Sequence, residues 1–193
     1  MSELKRCGWC VGDPLYEAYH DEEWGVPVYD DKAIFEFLIL ETFQAGLSWI
    51  TILRKRENFR EAFDNFDYEK IAEYSEDKIQ ELLQNAGIIR NKLKVRATVT
   101  NARAFMQVQD EFGSFSEYIW SFVDGTPIQN KLKDHTNAPA TTPLSDKLSK
   151  DLKKRGFKFV GSTVIYAHMQ ATGMVNDHTV DCFRYDEVAE LKK

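Results

Sequence analysis

Hydrophobic positions recur at helical spacing along most of the chain. After Asp30 and Asp31, which suit a helix N-terminus, Ile34, Phe35, Phe37 and Leu38 fall on one inward side. Residues 50–63 repeat the pattern, with Ile52, Leu53, Phe59 and Phe63 set between charges. Ser75 opens a further helix with Ile79, Leu82 and Leu83 inside. Residues 93–112 read as one long helix, although Val95, Thr98, Val99 and Thr100 are weak helix formers. Ser114-Phe-Ser-Glu117 has the spacing of a capping box ahead of Tyr118, Ile119 and Phe122. Ser145 opens a basic helix that Gly156 closes, and residues 160–173 form a last, largely buried helix. Residues 124–143, rich in Gly, Pro, Thr and Asn, are the one long loop. Residues 157–160 read as a short strand without a partner. The fold class is all-α.

A length of 193 residues suits one domain with a real core, and 43% hydrophobic residues exclude a disordered chain. Four Trp, eight Tyr and thirteen Phe point to a generous core or to a surface that stacks on flat ligands. Glu36 and Glu41 interrupt the best apolar run, so no membrane span is expected. The first six residues lead into no apolar stretch, so no secretory leader is expected either. Three cysteines fit a reducing, cytoplasmic setting in which Cys clusters mean metal or catalysis.

The net charge of −6 speaks against nucleic acid, but its distribution changes that picture. Residues 82–109 contain no carboxylate, while Arg90, Lys92, Lys94, Arg96 and Arg103 all fall inside. A second basic stretch runs from Lys147 to Lys158, and the acids collect elsewhere. An acidic protein with a basic face fits this pattern, and so do two solvated helix surfaces.

Cys and His gather at both ends: Cys7, Cys10 and His20, then His178 and Cys182. His178 and Cys182 are spaced one helical turn apart, which suits a tetrahedral ion, and two donors from each end would give a saturated Cys2His2 site. Such a site would clasp the termini. Cys7-Gly-Trp-Cys10 competes with Cys7 plus His20 as the N-terminal pair, and buried thiols with hydrogen-bonded histidines are the alternative to any metal. His135, in the loop, and His168, on an apolar helix, stand outside this set, the latter as a satisfied core histidine.

The densest pocket-forming groups come early. Trp9, Tyr16, Tyr19 and Trp24 flank His20, and Glu41 is followed by Gln44-Ala-Gly-Leu-Ser-Trp49. Glu41, set among Ile39, Leu40 and Phe43, must be paired, protonated or held ready for a ligand. The aromatics fit a core as well as a pocket. At Asn85-Ala-Gly-Ile-Ile-Arg-Asn-Lys92 an apolar helix ends at a glycine and a basic helix begins, as in a helix-hairpin-helix element around 75–105 that faces a phosphate.

Arg6-Cys-Gly-Trp9, Asp13-Pro-Leu-Tyr-Glu-Ala-Tyr-His20, Glu23-Trp-Gly-Val-Pro27, Gln44-Ala-Gly-Leu-Ser-Trp49, Lys55-Arg-Glu-Asn58, Ala86-Gly-Ile-Ile-Arg90, Arg155-Gly-Phe-Lys-Phe-Val-Gly161 and Val175-Asn-Asp-His178 occur in order. Together they resemble the 3-methyladenine DNA glycosylase I family from about Cys7 to Cys182. The resemblance implies a helix-hairpin-helix DNA glycosylase fold, spanning 1–193 as one unit, with a structural Zn2+ joining about 1–25 to 160–193. It makes Cys7, His20, His178 and Cys182 the zinc ligands and leaves Cys10 over. It makes Glu41 and Tyr19 the polar contacts to the base and Trp49 its stacking partner, with Trp9, Tyr16 and Trp24 lining the same pocket. Leu47, beside Gly46, becomes the wedge into the DNA stack, and Gly87, Ile88, Arg90 and Lys92 the hairpin contacts to DNA. The 124–144 loop receives nothing.

The activity so implied is excision of 3-methyladenine from alkylated double-stranded DNA by base flipping, releasing the free base and leaving an abasic site. The catalytic Asp found after the hairpin in other glycosylases of this fold is missing, since 90–109 holds no carboxylate, so the expected enzyme is monofunctional. A monomer is the default. The rival reading is a zinc-stabilised DNA-binding module in which Glu41 is structural.

Overall fold

The computed structural model describes residues 4–191; the outermost residues of the expected terminal region, 1–3 and 192–193, lie outside them. Helix α2 (Asp31–Gln44) is the central element, buried over Ile34–Phe35 and from Phe37 to Phe43. A helix apolar on nearly every side must be covered on nearly every side. Helices α3 (Trp49–Ala62), α6 (Lys92–Phe112), α7 (Phe115–Trp120) and α9 (Ser162–Ala171) supply the cover. The remaining helices are α1 (Pro14–Glu22), α4 (Tyr68–Ala72), α5 (Glu76–Leu82), α8 (Pro143–Lys154) and α10 (Phe183–Ala189). In the core Phe105 stacks on Phe115 and meets Phe35 edge-on, with Phe43, Phe59 and Phe63 packed together at the other end of α2.

Local chemistry sets the helix ends. The Asp30 carboxylate accepts from the Ala33 N–H, and the Ser75 and Ser114 hydroxyls accept from Lys78 and Glu117. The basic helix starts earlier than the sequence reading placed it. Thr142 is its N-cap and Pro143 its first residue, and Ser145 completes a reciprocal capping box with Thr142.

Three further expectations are corrected. The 124–143 loop contains strand β1 (Ile128–Gln129), which pairs in parallel with β2 (Val175–Asn176) and continues into a bridge between Leu132 and Thr179. Residues 157–160 are not a strand: the Asn101 amide accepts from the Lys158 N–H and donates to its carbonyl, satisfying that backbone from α6. His178 and Cys182 do not share a helix; both precede α10, with Cys182 as its N-cap.

The α5–α6 connection is a tight turn. The Asn85 side chain accepts from Gly87 N–H, and a Cβ at Gly87 would lie 3.1 Å from Asn58. Ile88 is buried beneath the turn, while Arg90, Asn91, Lys92 and Leu93 are exposed. Among the described residues no helix is long and apolar enough to cross a membrane.

Candidate functional site

A cavity of about 280 Å³ opens between α1, α2, the start of α3 and the loop before α8. Its aromatic wall is Trp9, Tyr16, Tyr19, Trp24 and Trp49. Trp9 meets Tyr16 and Trp24 edge-on, each at 4.9 Å between ring centroids, and Tyr19 and Trp49 tilt against one another at 5.7 Å. Edge-to-face packing of Trp9 on Tyr16 and Trp24 is the favoured arrangement of aromatic rings and holds their planes in place.

Glu41 forms the polar wall. It is 3% exposed, and its Oε2 has no hydrogen-bond partner. Burial alone pushes its pKa up to about 8, and of the three alternatives open to Glu41 in the sequence, an ion pair is not formed among the described residues. Tyr19 Oη and Trp49 Nε1 are likewise buried and unpartnered. Burial, followed by the charge of Glu41, raises the Tyr19 phenol well above its usual value. Each unmet polar group costs about 1–3 kcal/mol. Three of them lie on side chains that line this one aromatic cavity.

Sequence reasoning missed two other residues of this wall. Asp177 is 2% exposed and accepts from Asn130, Tyr166 and Gln170, which ties the first residues after β1 to α9. His135 lines the cavity from the loop and sits on Gly8, where a Cβ would come within 2.7 Å of the ring. No local signal links these positions, because both reach the cavity through the two-residue sheet. His168 differs from the satisfied histidine expected: neither ring nitrogen has a partner, and burial draws its pKa down to about 3, leaving it neutral.

Beside the pocket, Cys7, His20, His178 and Cys182 bring four buried donor atoms within 4.8 Å of one another. Cys7 Sγ lies 3.5 Å from His178 Nδ1, and Cys182 Sγ lies 3.4 Å from His20 Nε2 and 3.6 Å from His178 Nδ1. A tetrahedral zinc with ordinary Zn–S and Zn–N bonds separates such donors by about 3.6 Å. The groups behind the imidazoles agree: His20 Nδ1 faces Asp21 Oδ1 at 2.8 Å, and His178 Nε2 faces the Trp24 carbonyl at 2.9 Å. Each imidazole thereby turns its other nitrogen toward the sulfurs, as metal-bound histidines do. The residues present therefore fit a zinc ion. Hydrogen bonding between the two thiols pushes the Cys7 pKa up and draws that of Cys182 down, which favours a thiolate in the set. Cys10 stands apart, donating to the Cys7 carbonyl, with burial pushing its thiol up to about 11.

Between α2 and α3, Gly46 adopts φ +81°, a conformation that disfavours side chains, and Leu47 stands exposed at the tip of the turn. The basic run after the α5–α6 connection divides in two. Arg96 pairs with Glu76, Arg103 donates to the Ala72 carbonyl, and Lys94 is buried; Arg90 and Lys92 are exposed and make no ion pair among the described residues.

Residues 9–185 match the methyladenine glycosylase family. The chain is 51% identical over 182 residues to DNA-3-methyladenine glycosylase 1 of Escherichia coli K12, covering 94% of this chain and 97% of that protein. It is 48% identical over 177 residues to a DNA-3-methyladenine glycosylase of Haemophilus influenzae, covering 92% and 96%. A solved structure of a tyrosine-to-phenylalanine variant of 3-methyladenine DNA glycosylase I, in complex with 3-methyladenine, superposes with a TM-score of 0.91 at 35% identity, covering 97% of this chain and 99% of that one.

Proposed function

The chain belongs to the methyladenine glycosylase family and is a hydrolytic DNA glycosylase, and from that premise we propose that it excises 3-methyladenine from alkylated duplex DNA, holding the flipped base between Trp49 and Glu41. The observation that carries this reading is the set of three unpartnered buried atoms, Glu41 Oε2, Tyr19 Oη and Trp49 Nε1, around one aromatic cavity.

N3-methylation leaves the nucleoside base cationic, so its bond to deoxyribose is already weak and the base departs neutral. No strong general acid is needed. The protein's part is differential binding. A cation entering the cavity favours ionisation of Glu41, which then accepts hydrogen bonds from the base while Trp49 presents its π-face. Tyr19 supplies a second polar contact, and Trp9, Tyr16 and Trp24 shape the slot. Unstacking the base costs a few kcal/mol, offset by stacking in the pocket and by Leu47 filling the gap beside Gly46. In the helix-hairpin-helix reading of 75–105, the turn at Gly87 and Ile88, whose own N–H groups donate to Asn85, brings the backbone that follows it to a phosphate, with Arg90 and Lys92 alongside. Ile88, being buried, supports that turn from beneath.

Zinc held by Cys7, His20, His178 and Cys182 would be structural, since four protein donors leave no open position for water. Its role is to join the segment carrying Trp9, Tyr16 and Trp24 to the segment carrying Asp177.

Chromatography of bases released from methylated duplex DNA tests the proposal. Wild type is expected to release 3-methyladenine, with release lowered in both Glu41→Ala and Trp49→Ala. No release by folded, zinc-replete wild type would overturn it.

A further inference from the structure

We infer that Lys94 is a positioning residue that locks the hairpin to the turn at 45–47 and so sets where Leu47 meets the duplex. The inference rests on the wedge role proposed for Leu47. Lys94 is 6% exposed, and no carboxylate lies within ion-pair distance of it among the described residues. Its Nζ donates instead to the carbonyls of Phe43, at 2.9 Å, and Ala45, at 2.8 Å. These groups belong to the C-terminus of α2, where the last carbonyls lack partners within the helix and the dipole is negative. The last turn of α2 contains no basic residue of its own. Lys94 therefore caps α2 from another element, and burying a charged ammonium for a purely local gain would be costly.

The two ends of Lys94 explain that cost. Its backbone N–H is held by the side chain of Asn91, the N-cap of α6, which lies three residues back between the exposed Arg90 and Lys92. Its ammonium grips the carbonyls on either side of Gln44, whose own carbonyl accepts from Leu47 N–H at 2.7 Å and whose amide donates to the Leu47 carbonyl. Leu47 is thus fixed through its backbone to Gln44, and Gln44 through its neighbours to Lys94. One side chain links the surface that would take a phosphate to the residue that would enter the base stack.

Lys94→Met keeps an apolar, similarly sized side chain but removes the grip. Three readouts separate positioning from bulk stability: base release from methylated duplex, base release from the same strand unpaired, and calorimetric affinity for free 3-methyladenine. Only the duplex leaves a gap for Leu47 to fill. We expect duplex release to fall by about tenfold or more, with single-strand release and free-base affinity changing less than about threefold. Should Lys94→Met fail to fold, Lys94→Gln, whose shorter amide cannot reach both carbonyls, is expected to show the same duplex-specific loss. Equal losses in all three readouts, or none in any, would overturn the inference while leaving base release by wild type intact. Absence of release by wild type would sink the excision proposal and the role of Lys94 together.

Discussion

His178 and Cys7 meet at 3.5 Å, Nδ1 to Sγ, across 171 residues of chain. The same imidazole reaches the Trp24 carbonyl through Nε2 and packs edge-on against the Trp24 ring at 4.8 Å. The cluster of Cys and His donors and the aromatic pocket are thus adjacent layers, and loosening the first is expected to disturb the second.

Removal of the metal is therefore expected to cost stability before chemistry. Chelation, or Cys182→Ala, should remove about 3 kcal/mol or more and lower Tm by on the order of 10 °C. Melting curves with and without chelator, alongside elemental analysis of the purified protein, check this. A protein with no bound zinc and an unchanged Tm would contradict it.

Glu41 gives stability an uncommon pH dependence. Its folded pKa of about 8 lies above the roughly 4.3 of an unfolded carboxyl. The folded state then holds the proton more tightly, so this contribution is complete below pH 4 and declines as pH rises toward 8. By pH 8 the loss is on the order of a few kcal/mol. Glu41→Gln cannot ionise and should escape it. The Tm of the variant minus that of wild type should increase between pH 5 and pH 8, while base release falls. A flat difference would mean that Glu41 is ionised in the free protein.

DNA affinity should report which basic residues remain available. Arg90→Ala and Lys92→Ala are each expected to weaken binding and to reduce the slope of log K against log salt by about 1. Arg96→Ala should have less effect, because Glu76 already occupies that guanidinium. Equal slopes for all three variants would remove the hairpin from the interface.

Strand cleavage is not expected. A lyase needs an amine beside the sugar, and the most buried lysine of this region, Lys94, has its ammonium turned into the carbonyls of α2. Incubation with methylated duplex and borohydride should give abasic DNA and no covalent adduct. A trapped species would require a nucleophile that the arrangement described above does not provide.

The sequence carried the parts of this architecture that depend on local pattern. The inward sides of α2, α3 and α5 follow from periodicity, and the burial of Glu41 follows from its apolar neighbours. The gathering of Cys and His at the two ends was legible because few residue types bind soft cations, but spacing left Cys10 in competition with His20, and the family resemblance chose between them. What stayed hidden depends on partners distant in sequence. The β1–β2 pair is two residues long on each side and exists because Asn130 and Leu132 lie against Asp177 and Thr179. A loop composition cannot encode such a pairing. The carboxylate-free stretch 82–109 looked more basic than its surface is, since Glu76, outside that window, covers Arg96, and Lys94 is turned inward.

The clasp between the two ends also governs when the pocket forms during folding. Closing a flexible loop of 171 residues carries about 4–5 kcal/mol of length-dependent entropy, so contacts across it form only after shorter-range packing has drawn the ends together. Helices α3, α6 and α7 reach α2 over shorter separations and can assemble on it first, while α9 joins from farther along the chain. The wall contributed by Trp24 and Asp177 is then completed in the step that seats His178 against Cys7. A growing chain would acquire its core early and its base-recognition slot last, once the residues around Cys182 have arrived.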